Sequence, residues 1–368
     1  MRSEGGRVAD LVSANAAALG FRFPASVLQA AMRNALRRTR FYTADPFGRP
    51  EAREAVAHYY RSEGLSVPAD QIVLTPGTSM SYFYLFKALA DPGDSILCPT
   101  PGYPLFDMIA RLADVTVDTY PLHPQTTRWA IDLKALEAAV TPKTKALILI
   151  SPHNPTGAVA TDLEVAGLVD IARKHRMAII SDEVFSPFLL TGSTLPRPAT
   201  HREAPLVITL NGFSKMFALP GLKIGWMAIT GETDEIRKLK RILEMLSDAF
   251  LPVQDTAQAA MPAVFNSGAH FLQHFRRGVR LRATHTVSLL QRATLTSGFV
   301  PPEGGFYAVI PLPSKVDDEA FALNLLRQHK VFVHPGYLYN LSHPAIVISL
   351  INPGKDIAKL VKVGFRSG

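Results

Sequence analysis

The 368-residue chain contains a single cysteine, Cys98, and no long apolar run. One cysteine excludes a disulfide framework and favours a reducing compartment. The absence of any run of about 18 apolar residues argues against a membrane-spanning helix, and the N-terminus shows no charged-then-apolar leader. We therefore expect a cytoplasmic protein without a membrane partner. An apolar content of 47% is sufficient for a large buried core in more than one lobe.

The chain also lacks a long basic tract, although its net charge is +8. Lysine and arginine form only small clusters, at residues 33–40, 237–241 and 276–282, without interleaved aromatic residues. Solvated helix faces explain such clusters, so no nucleic-acid partner is predicted. The mild positive field would favour anionic ligands. Internal repeats and low-complexity segments are absent too, which excludes a solenoid.

Apolar strand patterns alternate with helical patterns along much of the chain. This alternation predicts an α/β fold, a mostly parallel sheet with helices on both faces. Predicted strands lie at 72–74, 95–98, 115–120, 145–150, 177–181, 206–210 and 223–229, and predicted helices at 24–38, 49–62, 79–90, 104–113, 132–140 and 161–175.

The pattern changes after residue 255. A long helical stretch to residue 297 leads into strands near 305–311, 331–333 and 345–350. We interpret this region, 256–368, as a smaller α+β C-terminal domain. Residues 41–255 would form the large domain, and residues 1–40 an N-terminal segment that joins the small one.

The segment from Thr209 to Trp226 carries the most informative pattern. A buried apolar strand delivers Lys215 to a turn, and a glycine-punctuated return leads into a second apolar strand. A lysine in that place can act as a Schiff-base nucleophile. A solvated lysine after a strand is the alternative interpretation.

Two further strands end in polar side chains. The apolar run 146–150 leads into a turn that presents Asn154, and the run 178–180 leads into Asp182. Ligands of α/β sheets bind at the carboxyl ends of parallel strands. A carboxylate there can pair with a protonated pyridine nitrogen and keep the ring electron-withdrawing, so Asp182 is the candidate for this role.

Together these segments resemble the class I/II aminotransferase family of fold-type-I pyridoxal phosphate enzymes. The resemblance covers nearly the whole chain, with motifs in the family's order at 42–53, 75–81 (T-P-G-T-S-M-S), 99–104 (P-T-P-G-Y-P), 151–157 (S-P-H-N-P-T-G), 181–185 (S-D-E-V-F), 211–215 (N-G-F-S-K) and 221–226 (G-L-K-I-G-W). It implies pyridoxal 5'-phosphate as cofactor, amino acid and keto acid substrates, no metal, and a homodimer with shared active sites. Lys215 and Asp182 would be the catalytic residues.

A phosphate cradle is predicted where a strand ends and a helix begins. The backbone N–H groups of Gly77, Thr78 and Ser79 and the positive end of the helix would point at an anion. An ordinary helix cap is the alternative. The resemblance adds Ser214 and Lys223 as cofactor-binding residues. Lys223 replaces an arginine and so loses the paired geometry of a guanidinium.

Two tyrosines match aromatic positions of the family. Tyr103 would stack on the cofactor ring, although a packed turn tyrosine is the simpler interpretation. Tyr42, offset by one residue, would reach the phosphate of the neighbouring subunit.

Two positions depart from the family pattern. Phe185 replaces a tyrosine that binds the cofactor's phenolate oxygen, which leaves Asn154 alone for that task. Val347 replaces an arginine that binds the substrate carboxylate, a task that an apolar side chain cannot perform. Candidate substitutes near the substrate are Arg22, Tyr337 and Tyr339; Arg22 as a surface charge is the alternative.

Three functions remain open at this stage. The first is ping-pong transamination between an amino acid and a 2-keto acid. The second is a lyase or decarboxylase that uses the same cofactor and fold, which would explain Val347. The third is a non-catalytic sensor, which is disfavoured because the lysine, aspartate and asparagine are all present. The sequence does not reveal which amino donor is used.

Overall fold

The computed structural model describes residues 7–42, 44–192, 194–293 and 298–365. Its helices are α1 Ala25–Arg38, α2 Pro50–Ser62, α3 Thr78–Leu89, α4 Phe106–Leu112, α5 Leu133–Ala139, α6 Asp162–His175, α7 Phe213–Met216, α8 Thr233–Asp248, α9 Asp255–Gln291, α10 Asp318–His329 and α11 Gly354–Gly364. Its strands are β1 Ala9–Asp10, β2 Ile72–Thr75, β3 Ser95–Thr100, β4 Thr116–Pro124, β5 Trp129–Ile131, β6 Thr144–Ile150, β7 Ala178–Asp182, β8 Leu206–Gly212, β9 Gly225–Gly231, β10 Tyr307–Pro311, β11 Val331–Phe332, β12 His334–Pro335 and β13 Ala345–Ser349.

An eight-stranded sheet forms the centre, in the order β2-β9-β8-β7-β6-β3-β4-β5. Strands β4, β3, β6, β7 and β8 are mutually parallel, whereas β9 and β5 run against their neighbours. The central strands are buried on both faces, as their continuous apolar runs require. The predicted α/β fold with a mostly parallel sheet is therefore confirmed.

The parallel strands bring their carboxyl ends to one edge of the sheet. The segments that follow β3, β6, β7 and β8 all start there, and they carry the predicted site residues. Strand β2 is antiparallel to β9, which is antiparallel to β8, so β2 also ends at this edge and delivers the start of α3. Topology alone thus gathers the five segments.

A second, three-stranded sheet has the order β10-β13-β12, and β1 pairs in parallel with β11. The long helix α9 packs against α1, α2 and α11, and so contacts both ends of the chain. These pairings support the predicted joining of residues 1–40 to a C-terminal unit, and the domain boundaries themselves stay a prediction. Among the described residues, no helix combines the length and the apolar character needed to cross a bilayer.

Several element predictions need correction. Helix α8 was missed, because its amphipathic pattern with many charges indicated only a solvated surface. Strand β4 is longer than predicted and turns into β5, which was also missed. The strand predicted from residue 223 begins at Gly225, since Lys223 adopts a left-handed conformation (φ 52°). The long helix α9 ends at Gln291, and residues 294–297 of the prediction lie outside the described residues.

Candidate active site

A cavity of about 160 Å³ lies at the carboxyl edge of the large sheet. Its wall combines the start of α3, the segments after β3, β6, β7 and β8, and one residue of β10. The lining residues are Thr78, Ser79, Tyr82, Tyr103, Ile150, Asn154, Asp182, Val184, Phe185, Gly212, Ser214, Lys215, Ile224 and Tyr307. Eight of the residues predicted from the sequence are therefore gathered around one space.

Lys215 projects into this cavity from the short helix α7, directly after β8. The turn before it is tight: a Cβ at Gly212 would lie 2.7 Å from the carbonyl oxygen of Ile224. The Lys215 ammonium lies 5.7 Å from the centre of the Phe185 ring. Burial lowers the pKa of Lys215, and the charge of Asp182 opposes this shift in part. A lowered pKa raises the fraction of neutral amine, the form that acts as a nucleophile.

Asp182 is the last residue of β7, and both of its carboxylate oxygens are held. Oδ2 accepts a hydrogen bond of 2.6 Å from the Tyr82 hydroxyl, and Oδ1 accepts one of 3.0 Å from the backbone N–H of Val184. Burial raises the pKa of Asp182, whereas the Tyr82 and Val184 hydrogen bonds and the charge of Lys215 lower it. The carboxylate is thus oriented before any ligand arrives.

Asn154 lies in the turn after β6. Its side-chain Oδ1 is buried and has no hydrogen-bond partner within the structure. An unpaired buried amide oxygen is costly, and a hydrogen-bond donor on a bound molecule would supply the missing contact. Phe185 offers no such contact; it is buried between the rings of Phe306 and Tyr307, at centroid distances of 5.0 and 6.1 Å.

The start of α3 provides the cradle for an anion. Gly77 precedes the helix at a φ of 124°, and no side chain caps the first turn, so its N–H groups remain available. Strand β9 packs tightly behind: a Cβ at Gly225 would lie 2.9 Å from the Gly77 Cα atom. Thr78, Ser79 and Ser214 add hydroxyl groups along the cavity wall.

These groups fit pyridoxal phosphate. A nucleophilic amine, a carboxylate, the Asn154 side-chain amide and an uncapped helix N-terminus lie around one cavity. They match the aldehyde, ring nitrogen, phenolic oxygen and phosphate of that molecule, with the Nδ2–H group of Asn154 as the donor to the phenolic oxygen. Tyr103 lines the same space as an aromatic ring.

The other predicted site residues are not part of this lining. Lys223 is exposed, two residues before Gly225 at the back of the anion cradle. Arg22 is exposed and donates from Nε to the Ala17 carbonyl at 3.4 Å. Tyr42 is 69% exposed and borders a separate surface cavity. For these three residues, contact with cofactor or substrate stays a prediction.

The two C-terminal tyrosines differ from each other. Tyr337 is half exposed, whereas Tyr339 is buried and its hydroxyl lies 3.0 Å from Nδ1 of His334. Neither side chain reaches the cavity lining. Their predicted roles at the substrate also remain predictions.

Val347 lies on β13 and is fully buried. It pairs with Val309, and Ser349 pairs with Tyr307, so all four side chains share one face of the small sheet. Tyr307 lines the cavity, and the Ser349 hydroxyl is buried without a partner. Val309, Val347 and Ser349 are not part of the lining, in which Lys215 is the one cationic side chain, so the small sheet brings no charge to it.

Sequence reasoning missed six lining residues, of which two, Tyr82 and Tyr307, carry a polar side-chain group. Tyr82 lies four residues after Thr78, one helical turn along the same face of α3. That spacing was available in the sequence as a signal. Tyr307 follows two glycines at the start of β10, and nothing local indicated that this strand approaches the large sheet.

Comparison with known proteins places the chain in a family. Residues 12–354 match the family described as aminotransferase class I and II. The glutamate-pyruvate aminotransferase AlaA of Escherichia coli K12 is 29% identical over 354 residues, 94% of this chain and 86% of that protein. The alanine aminotransferase of Mycobacterium tuberculosis H37Rv is 31% identical over 355 residues, 94% and 81% of the two chains.

The chain is also similar to solved structures of aminotransferases. An Escherichia coli aminotransferase is 28% identical, with a TM-score of 0.88 over 100% of this chain and 93% of the other. A double mutant of Thermus thermophilus aspartate aminotransferase is also 28% identical, with a TM-score of 0.86 over 98% and 92%. The fold and the site define an enzyme that transfers amino groups with the help of pyridoxal phosphate. The chain belongs to the class I and II aminotransferase family.

Proposed function

We propose that this enzyme moves an amino group between an amino acid and a 2-keto acid in a ping-pong reaction, with pyridoxal phosphate bound to Lys215. The observation that carries the proposal is the meeting of Lys215, Asp182 and the unpaired amide of Asn154 around one cavity. The relatives named as glutamate-pyruvate and alanine aminotransferases suggest alanine, glutamate and their keto acids as the first substrates to test.

When bound, pyridoxal phosphate supplies an electron-withdrawing ring that stabilises negative charge on the substrate carbon. Asp182 holds a proton on the ring nitrogen, which keeps that ring electron-withdrawing. The Lys215 amine would take a proton from the substrate α-carbon and return it two atoms away, as a general acid–base group. The lowered pKa of Lys215 suits this work, because the amine must be neutral to accept a proton.

The remaining residues bind and orient. The uncapped N–H groups after Gly77, with Thr78, Ser79 and Ser214, hold the phosphate, and exposed Lys223 adds positive charge. Asn154 would donate from Nδ2 to the phenolic oxygen, and the Tyr103 ring would pack against the face of the cofactor. Phe185 excludes water without forming a hydrogen bond.

The test is direct. The purified protein, incubated with pyridoxal phosphate, should gain visible absorbance, and borohydride reduction followed by peptide mass analysis should locate the label on Lys215. Lys215→Ala should remove both signals, whereas Lys238→Ala, on the exposed face of α8, should leave them unchanged. A label on another lysine would refute the assignment.

Val347 favours a second candidate, a lyase or decarboxylase on the same fold, because it is a buried apolar residue at the position where the family resemblance predicts a carboxylate-binding arginine. The two functions differ in their products. Transamination of an added amino acid yields a keto acid and leaves the cofactor aminated, whereas a lyase or decarboxylase returns the cofactor unchanged and releases a fragment or carbon dioxide. The named aminotransferase relatives favour an enzyme over a non-catalytic sensor.

We propose a cytoplasmic homodimer in which the partner's Tyr42 completes each site. Phe41 and Tyr42 are 82% and 69% exposed, which is unusual for adjacent aromatic residues and suits an interface. Tyr42→Ala and Lys215→Ala chains should each be inactive alone. A mixed dimer should regain up to about half of the activity, since one of its two sites has both residues intact, and a random mixture of the two chains should regain up to about a quarter. No recovery in verified mixed dimers would contradict shared sites.

A further inference from the structure

The shortest side-chain contact in the cavity joins Tyr82 to Asp182, at 2.6 Å from hydroxyl to Oδ2. We propose that Tyr82 is a positioning residue, which keeps the Asp182 carboxylate ionised and aimed at the ring nitrogen of the cofactor. This inference rests on the function proposed above, because Asp182 matters to the cofactor only if pyridoxal phosphate binds there.

The Tyr82 side chain has little freedom. It is 1% exposed, and its ring packs edge-to-face against Phe86 and Phe106, at centroid distances of 6.1 and 5.2 Å. Such packing restricts the ring to one orientation, so the hydroxyl is fixed in space. Phe106 in turn packs edge-to-face against Tyr103 at 5.7 Å, which links Tyr82 to the aromatic wall of the cavity.

The helix that carries Tyr82 also carries the anion cradle. Thr78 and Tyr82 are four residues apart on α3, so they share one face of the helix, and both line the cavity. One rigid element therefore contacts both the phosphate site and the carboxylate. The distance between these two anchors is set by a single turn of helix rather than by loops.

The electrostatic surroundings explain why the hydroxyl is needed. Asp182 is nearly fully buried, and burial of a carboxylate raises its pKa. The neighbouring Glu183 carboxylate forms an ion pair of 2.8 Å with Arg197, and Lys215 is the cation that faces Asp182 from α7. The phenol of Tyr103 also lies near Asp182.

The Tyr82 hydroxyl itself stays protonated. Burial and the Asp182 charge raise its pKa well above the ordinary value. It therefore acts as a donor across the whole working pH range. An O–H···O⁻ contact of 2.6 Å has the length of a charge-assisted hydrogen bond, which favours the ionised carboxylate.

The test measures the affinity for pyridoxal phosphate against pH, by absorbance, for the wild type and Tyr82→Phe. In the wild type, affinity should decline below the pH at which Asp182 of the free enzyme takes up a proton. Removal of the hydroxyl should raise that pH by about one to two units. The 1-deaza analogue, in which C–H replaces the ring nitrogen, keeps the phosphate and the aldehyde that reacts with Lys215, so any decline that it shows on acidification should lie at the same pH in both proteins.

A matched control is available. The Tyr120 hydroxyl is also buried and donates to the Ile148 carbonyl at 2.7 Å, but Tyr120 lies outside the cavity lining. Tyr120→Phe should not change the pH below which the affinity for pyridoxal phosphate declines, which we call the acid limb. Asp182→Asn should abolish the limb, and Tyr82→Phe should add nothing to it.

The outcomes separate the claims. An unchanged acid limb in a folded Tyr82→Phe protein would overturn the positioning role, and equal weakening of both cofactor forms would reduce Tyr82 to a packing residue. Failure of the wild type to bind pyridoxal phosphate at all would instead overturn the proposed function. If the Tyr82→Phe protein does not fold, the two cofactor forms can still be compared in the wild type and in Asp182→Asn. That comparison tests whether the ionised Asp182 carboxylate interacts with the ring nitrogen.

Discussion

The buried ion pair behind the cavity gives a quantitative prediction about stability. Arg197 donates from Nε to Oε2 of Glu183 at 2.8 Å and from Nη1 to the Glu63 carbonyl at 3.1 Å. The Glu183 and Arg197 side chains are 1% and 7% exposed, so water cannot replace a lost partner. Arg197→Met would leave a buried carboxylate without its cation, at a cost of about 3–5 kcal/mol in the free energy of unfolding.

A double substitution distinguishes the effect of an unpaired charge from the effect of altered packing. Glu183→Leu combined with Arg197→Met removes both charges, so most of the lost stability should return. In thermal unfolding of the cofactor-free protein, the single variant should lose about 4–7 °C and the double variant much less. The adjacent Asp182 should also shift in the single variant, so its affinity for pyridoxal phosphate should fall.

The pH dependence has a definite sign. Burial raises the pKa of Glu183, and Arg197 lowers it in part. Without Arg197 the pKa in the folded state rises further above that of the unfolded chain, so the folded state binds the extra proton. The destabilisation should therefore be largest above this raised pKa and should shrink as the pH falls through it. A loss below about 1 kcal/mol, or one independent of pH, would refute the reasoning.

Two further predictions concern the site. Phe185→Tyr should lower the pH midpoint of the visible absorbance of the cofactor-bound enzyme, since a hydroxyl donor would join Asn154 at the phenolic oxygen; Phe185→Leu is the control, and an unchanged midpoint would count against the role of Phe185. Gly157→Ala should destabilise by at least about 2 kcal/mol in denaturant titration, because its Cβ would lie 2.3 Å from Pro302 at a φ of 72°. Gly192→Ala is the control, because Gly192 has a φ of 70° but nothing lies near its Cβ position. It should lose only the stability that the backbone conformation costs, and an equal loss of unfolding free energy in both variants would exclude the packing explanation.

The parts of the fold that follow from local pattern were predictable. Buried apolar strands followed by turn residues located Asn154, Asp182 and Lys215 at strand ends, and parallel topology brought those ends to one edge. The rule that parallel strands share an edge needs no knowledge of strand order. Segments whose place depends on tertiary packing were not predictable. Tyr307 belongs to a different sheet and approaches the cavity only because β10 packs there.

Helix α8 and Tyr82 show two different limits. The charged face of α8 concealed an apolar stripe, in which Ile236, Leu239 and Leu243 are buried. Tyr82 was visible at helical spacing from Thr78, but its partner Asp182 is 100 residues away in the chain. A hydrogen bond over that separation cannot be derived from local sequence, because the register of α3 against β7 decides it.

The two walls of the cavity have separate origins, and this separation has a chemical consequence. The groups that fit the cofactor come from the edge of the eight-stranded sheet and from α3, whereas Tyr307 belongs to the small sheet, on the same face as Val347 and Ser349. A change on the small sheet can therefore alter what binds beside the cofactor without displacing Lys215 or Asp182. Because the described lining holds no cation besides Lys215, the selectivity of this enzyme would rest on shape and neutral hydrogen bonds, or on a cation brought from outside that lining.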